Sequence, residues 1–148
     1  MKKKIIFGII VVVVIFAGLL LIARTFYPTN IAETAPAHAE EILRTRHYQI
    51  DLKTFIAETE KIIPALSTYG RSWRLDTTDA GQDSAFIRAE VPVVFFTDDL
   101  EVRAEKDASA GGIVVNIRSN SRVGKSDFGE NRRHVLQILA ALDARFKN

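Results

Sequence analysis

The sequence predicts an α+β fold: an N-terminal transmembrane helix, then a small antiparallel sheet with two helices packed on one face, in the order β-α-β-β-β-β-α. Three observations predict it. Residues Ile5 to Ala23 (IIFGIIVVVVIFAGLLLIA) run without a charge. Apolar and polar residues alternate in a set of short segments between Ser72 and Arg118. Apolar residues recur at 3–4 spacing in two others, Leu52 to Leu66 and Phe128 to Phe146.

The uncharged run is 19 residues long, close to the ~20 a helix needs to cross a bilayer. Its β-branched residues disfavour helix in water, but lipid leaves the backbone no other way to satisfy its hydrogen bonds. A cleaved signal peptide is the competing reading. Its apolar core is normally about 7–15 residues with an A-x-A-like site close behind. Ala37-His38-Ala39 lies too far downstream, so an uncut anchor fits better. Lys2, Lys3 and Lys4 precede the run and Arg24 follows it, which places the N-terminus in the cytoplasm and the rest outside. The expected location is the inner (plasma) membrane, single-pass, with a periplasmic or otherwise extracytoplasmic domain. The expected organisation is residues 1–24 as basic tip and anchor, 25–46 as a linker, and 47–148 as the exported domain. The chain has no cysteine, which agrees with an oxidising compartment.

The basic pI of about 9.0 belongs to the anchor. Without Lys2, Lys3, Lys4 and Arg24 the chain holds 16 basic and 18 acidic residues. That balance argues against nucleic acid as a partner. Charge is uneven, however: residues 25–117 carry −6 and residues 118–148 carry +4.

Element by element, the stretch TFYPTNIAETAPAHAEEILRTR has two prolines and no clear period and reads as the linker. HYQI alternates as a short strand. Asp51 caps a helix that Pro64 limits. Trp73 and Leu75 share a face, TTDAGQDS is a turn, and Ser84–Val91 is a strand. Pro92 interrupts before Val93–Glu105, and KDASAGG turns the chain into a last strand, Gly112–Arg118. One-sided alternation implies antiparallel pairing with one wet face. In the last helix Phe128, Val135, Leu139, Leu142 and Phe146 share one stripe, with Asn131 and Arg132 beside its start.

RSNSRVGKSDFGENRRH, from Arg118 to His134, joins that strand to that helix. Asp127 and Glu130 resemble a capping box, and Gly129 in the first turn costs about 1 kcal/mol against Ala. One reading makes the stretch a folded polar joint in which Asp127 and Asn131 hold the loop. The other makes it an anion site, with Arg118, Arg122, Lys125 and Arg132 converging near a helix N-terminus. Arg122→Ala is then expected to abolish ligand binding with little change in melting temperature. Gly124-Lys125-Ser126 lacks the earlier glycine of a P-loop, and the spacings miss both G-x-S-x-G and S-x-x-K. In FFTDDLEV the adjacent Asp98 and Asp99 offer acid–base chemistry, or ion pairs with Arg118 or Arg122. Strand alternation sends the two to opposite faces. His38, His47 and His134 lie in no ligand spacing, so neither a metal nor a cofactor is expected.

VVFFTDDLEV and GGIVVNIRSNSRVGKSDFGENRRHVLQILAAL together resemble the family called Domain of Unknown Function fourteen-ninety-nine. Its pattern is an aromatic-Asp-Asp strand, then Arg-Ser-x-Ser-Arg-x-Gly-x-x-Asp-x-Gly-x-Asn-Arg. It falls on Asp98, Asp99, Arg118, Ser119, Ser121, Arg122, Gly124, Asp127, Gly129, Asn131 and Arg132. The resemblance runs from about Pro28 to the C-terminus. Many members carry an Asn-Cys-Val segment where this chain has ETAPAHAEE. The resemblance implies bacterial and plastid relatives, often exported or membrane-anchored, and supplies no activity.

The favoured expectation is a binding or interaction module for an anionic small molecule or an envelope protein, held to membrane lipid by its helix. The enzyme alternative is a hydrolase or isomerase using Asp98 or Asp99 with Arg122. A third reading is an assembly factor that docks a partner on its exposed sheet face, which a large apolar patch there would favour.

Overall fold

A computed structural model describes residues 2–26 and 29–147. Tyr27 and Pro28, inside the expected linker, lie outside the described residues, as do Met1, Asn148 and the side chains of Lys2 and Arg24 on which the expected orientation draws.

Helix α1 spans Lys2–Phe26, and its window Lys3–Ile22 is long and apolar enough to cross a membrane. The folded unit begins earlier than residue 47. Strand β1 (Ile31–Glu33) and strand β2 (Arg46–Tyr48) both pair antiparallel with the same edge of a later strand. A single 3-10 turn at Glu41–Leu43 lies between them and buries Leu43. Residues 31–46 are therefore part of the domain rather than a linker. A three-residue strand has no readable period, and its place depends on a partner about 85 positions away in the chain.

Helix α2 covers Leu52–Ala65, capped by the Asp51 carboxylate, which accepts from the Thr54 N–H at 2.9 Å. A tight hairpin follows, β3 (Ser67–Thr68) and β4 (Arg71–Ser72). Its two-residue turn needs left-handed backbone at both positions, met by Tyr69 (φ 52°) and Gly70 (φ 73°). The main sheet continues with β5 (Arg74–Ala80), β6 (Ser84–Pro92), β7 (Thr97–Lys106) and β8 (Ile113–Ser121). TTDA, expected in a turn, extends β5 because the β-branched Thr77 and Thr78 pair with Arg88 and Ile87. Conversely Val93–Phe96 is not strand but a turn closed by the Val93 N–H on the Phe96 carbonyl. Helix α3 is Glu130–Phe146.

The sheet order is β1-β8-β7-β6-β5, with β2 beside β1 on the β8 edge and each of these neighbours paired antiparallel. Both helices pack on one face, over Ala85, Ile87, Ala89 and Val91 of β6, Leu100, Val102 and Ala104 of β7, and Ile113, Val115 and Ile117 of β8. Trp73, Phe55 and Tyr48 complete that core. The Tyr48 hydroxyl donates to Asp143 at 2.7 Å and Arg46 pairs with the same carboxylate at 3.1 Å, which ties β2 to α3. The expected α+β architecture holds, with the additional strands β1, β3 and β4.

Candidate functional site

The alternation of β7 continues past Leu100 to Asp98, so this carboxylate points to the helix-covered face. The same rule turns Ser119 and Ser121 of β8 inward, and register sets Asp98 opposite Ser121. Helix α3 then lays His134 over them. Asp98 is 2 % exposed and His134 is fully buried. The Asp98 Oδ2 lies 3.7 Å from His134 Nδ1, and Ser119 Oγ lies 3.4 Å from the same nitrogen. The His134 Nε2 is 3.6 Å from a Glu130 oxygen. Neither Asp98 Oδ2 nor His134 Nε2 has a hydrogen-bond partner among the described residues. Burial pushes the Asp98 carboxyl up, against the lowering effect of a hydrogen bond with Ser121. Burial likewise pushes His134 down to about 4. Both groups are thus driven toward their neutral forms.

Asn131, also fully buried, clamps this cluster. Its Oδ1 accepts from Ser119 Oγ at 2.6 Å, and its Nδ2 donates to Ser121 Oγ and to the Asn30 carbonyl, each at 2.8 Å. Asp127 accepts from the Gly129 and Asn131 N–H groups at 2.9 and 2.8 Å. It caps the helix start through both oxygens, but no reciprocal capping box forms. Glu130 turns instead to the Tyr69 hydroxyl, 2.8 Å away, and to Arg133.

Above the cluster opens a pocket of about 500 Å³, with Asp98, Ser121, Asp127 and Glu130 among its lining residues. Its rim is apolar: Val94, Phe95, Phe96, Val123 and Phe128 are all more than half exposed, Phe95 at 87 %. Tyr69 closes one side. Phe128 adopts φ 56°, which costs a β-carbon-bearing residue roughly 1–2 kcal/mol. It therefore leaves the helical stripe in which the sequence placed it and lines the rim. Strain of this kind clusters at functional sites.

The basic residues do not converge. Arg118 and Arg122 lie on the opposite, wet face of the sheet. Arg118 is near Glu33 and Glu101, at 3.7 and 3.8 Å. Arg122 holds Asp99 at 2.6 Å and Glu90 at 2.8 Å, and these two carboxylates hold its guanidinium well above the usual arginine range. Arg132 pairs with Glu40 rather than entering the core. Lys125 has no ion-pair partner among the described residues. Asp99 and Asp98 are separated as alternation requires, and Asp98 does not meet Arg122. The wet face carries ion pairs such as Arg74–Glu90 and Arg103–Glu101, and among the described residues of the domain the exposed large apolar side chains gather at the pocket rim, with Ile31 and Ile42 exposed elsewhere. Among the described residues no cluster of His, Asp or Glu suits a metal.

His134 is the site residue that sequence reasoning passed over. It follows Asn131 by three positions and so shares its helix face, and the inward phase of β7 and β8 was available to supply Asp98 and Ser121.

These features define a small α+β domain behind an apolar N-terminal helix, with a buried Asp–His–Ser–Asn cluster under an apolar-rimmed pocket. The chain matches the model of the family described as Protein of unknown function (DUF1499) over residues 23–142, and it belongs to that family. No curated protein and no solved structure matches it.

Proposed function

We propose that this chain is a membrane-anchored binding module whose site is the Asp98 pocket. Its ligand has an apolar body, which fits the Phe95, Phe96, Val123 and Phe128 rim, and a hydrogen-bonding head that meets Asp98. The carrying observation is the almost fully buried Asp98 carboxyl among the lining residues of an otherwise apolar-mouthed cavity. A buried polar group left without a partner costs about 1–3 kcal/mol, and a carboxyl at a cavity wall is a group that a ligand's polar head can pair with. Three carboxylates line the cavity and no Lys or Arg does, so an anionic ligand fits it poorly. The four-base anion site gives way to this reading. In it, α1 is the anchor, the three N-terminal lysines stay cytoplasmic and the domain is exported.

The test is native mass spectrometry of the full chain purified from membranes in mild detergent. Wild type carries a bound molecule. Val123→Asp loses it with unchanged melting temperature, and Arg122→Ala, altered on the other face, keeps it. A wild-type chain without a bound molecule, or one that Val123→Asp still holds, refutes the proposal. The Asp98–His134 contact favours a second reading, a hydrolase or isomerase in which Asp98 serves as the acid and Arg122 plays no part. In that case Asp98→Asn accumulates unconverted substrate and its bound mass differs from that of wild type; a pure binding module gives the same mass or none.

A further inference from the structure

We infer that the pocket rim docks on the lipid bilayer, so that the mouth of the cavity opens into the headgroup region of the membrane that holds α1. The inference rests on the anchoring reading above and adds the orientation of the domain.

The first observation is the tether. Helix α1 ends at Phe26. Only four positions later, Asn30 is pinned to the pocket loop. Its Nδ2 donates to the Gly124 carbonyl at 2.8 Å, and its carbonyl accepts from the Ser121 N–H at 3.0 Å and from Asn131 Nδ2 at 2.8 Å. Four residues reach at most about 14 Å even when fully extended. The 121–124 loop therefore cannot stand far from the end of the membrane helix.

The second observation is what lies beside that pinned point. Val94, Phe95, Phe96, Val123 and Phe128 project from two neighbouring loops, each more than half exposed. On a soluble domain such an apolar group marks an interaction surface. Amphipathic surfaces of this type bury their apolar side roughly 5–10 Å into the headgroup and acyl boundary. Lys125 lies on the same loop and suits an anionic lipid surface. The other end of the sheet has the opposite character. The 107–112 turn (DASAGG) is polar and small, and the ten residues of β7 separate it from the rim, about 30 Å at strand rise. The bilayer is thus the occupant that both the tether length and the rim chemistry select.

The chain has no cysteine, so single cysteines report position directly. Phe95→Cys, Val123→Cys and Ser109→Cys full-length chains carry an environment-sensitive fluorophore. They are reconstituted in phosphatidylethanolamine and phosphatidylglycerol vesicles containing nitroxide-labelled lipid. Labels at 95 and 123 shift to the blue and lose most of their emission to the nitroxides, while the label at 109 loses none. Trp73 fluorescence on heating checks that each variant is folded. Equal exposure of all three labels to water overturns the inference. So does shielding of 95 and 123 from aqueous quencher without nitroxide quenching, because a protein partner or a second copy then covers the rim. Vesicle flotation separates the two levels: a chain that does not float refutes the anchor itself, whereas a floating chain with aqueous labels refutes only the docking.

Discussion

Replacing Asn131 tests whether the family-like Ser-x-Ser…Asn pattern is architecture. The side chain makes three hydrogen bonds: from Ser119 Oγ at 2.6 Å, and to Asn30 O and Ser121 Oγ at 2.8 Å. Each is worth about 1 kcal/mol net, and a buried partner left unsatisfied costs more. Two of the partners retain other contacts. The Asn30 carbonyl also accepts from the Ser121 N–H, and Ser119 Oγ remains near His134. The sum for Asn131→Ala is therefore about 3 kcal/mol, near the lower end of the possible range. For a domain of this size that corresponds to a fall of about 12 °C in melting temperature. Asn131→Asp is the sharper comparison. It keeps the volume but replaces the two-donor amide nitrogen with an acceptor facing Asn30 O and Ser121 Oγ, beside Asp127. It should destabilise at least as much as Ala. The assay is thermal unfolding of the full chain in detergent, read by the single tryptophan, Trp73, which is buried and stacks edge-on to His134 at 6.0 Å. An Asp variant within about 2 °C of wild type refutes the reasoning, since only volume would then matter.

Two further outcomes follow, one from the same cluster and one from a pair of glycines. His134 has a folded value of about 4 against an ordinary 6.5. The unfolded chain therefore binds its proton first, so this stability is fully present above pH 6.5 and is lost as pH falls toward 4, up to roughly 3 kcal/mol. Asp98 is raised, so its contribution has the opposite sign: present below its ordinary value and lost as pH rises through the folded one. Asp98→Asn should make the Trp73 unfolding midpoint fall more steeply with acid than in wild type, and His134→Gln should flatten it; identical slopes in all three refute the assignment. Elsewhere, a Cβ on Gly112 (φ 74°) would sit 2.2 Å from the Tyr48 carbonyl, whereas one on Gly70 (φ 73°) meets nothing within 4 Å. Gly70→Ala should cost about 1–2 kcal/mol and Gly112→Ala clearly more, roughly 3 or above once the clash between β2 and β8 is added; equal losses in denaturant melts argue against the close approach.

Much of the domain was legible because its signals are local. Alternation in SAFIRAEV and in LEVRAE sets the inward and outward faces of β6 and β7, and helical spacing finds α2 and α3. Alternation also separates Asp98 from Asp99, as the structure has them. What was not legible depends on pairing between distant segments. Strand β1 has three residues and exists only because β8 offers an open edge, which Thr34 extends by exchanging bonds with Ile117. The basic residues of 118–132 looked like a group because they are close in sequence. In space the period of two and the start of a helix send Arg118 and Arg122 to the wet face and Arg132 to Glu40.

The same register gives the site its character. A strand that ends on Asp98 and a partner that ends on Ser121 put polar groups at one end of an otherwise apolar face, just where helix α3 begins and brings Asn131 and His134. Were the apolar pattern of β7 continued to position 98, that end would be ordinary core and the loops above it would have no cavity to guard. Instead the domain holds an uncompensated carboxylate oxygen there, spends backbone strain at Phe128, and leaves five apolar side chains exposed around the opening. The first two lower stability and the third forgoes burial, and all three meet at one pocket beside the loop to which Asn30 is bonded. A purely structural joint would need the Asp127 and Asn131 bonds alone. The coincidence of these three features at one place is what supports the proposed binding site.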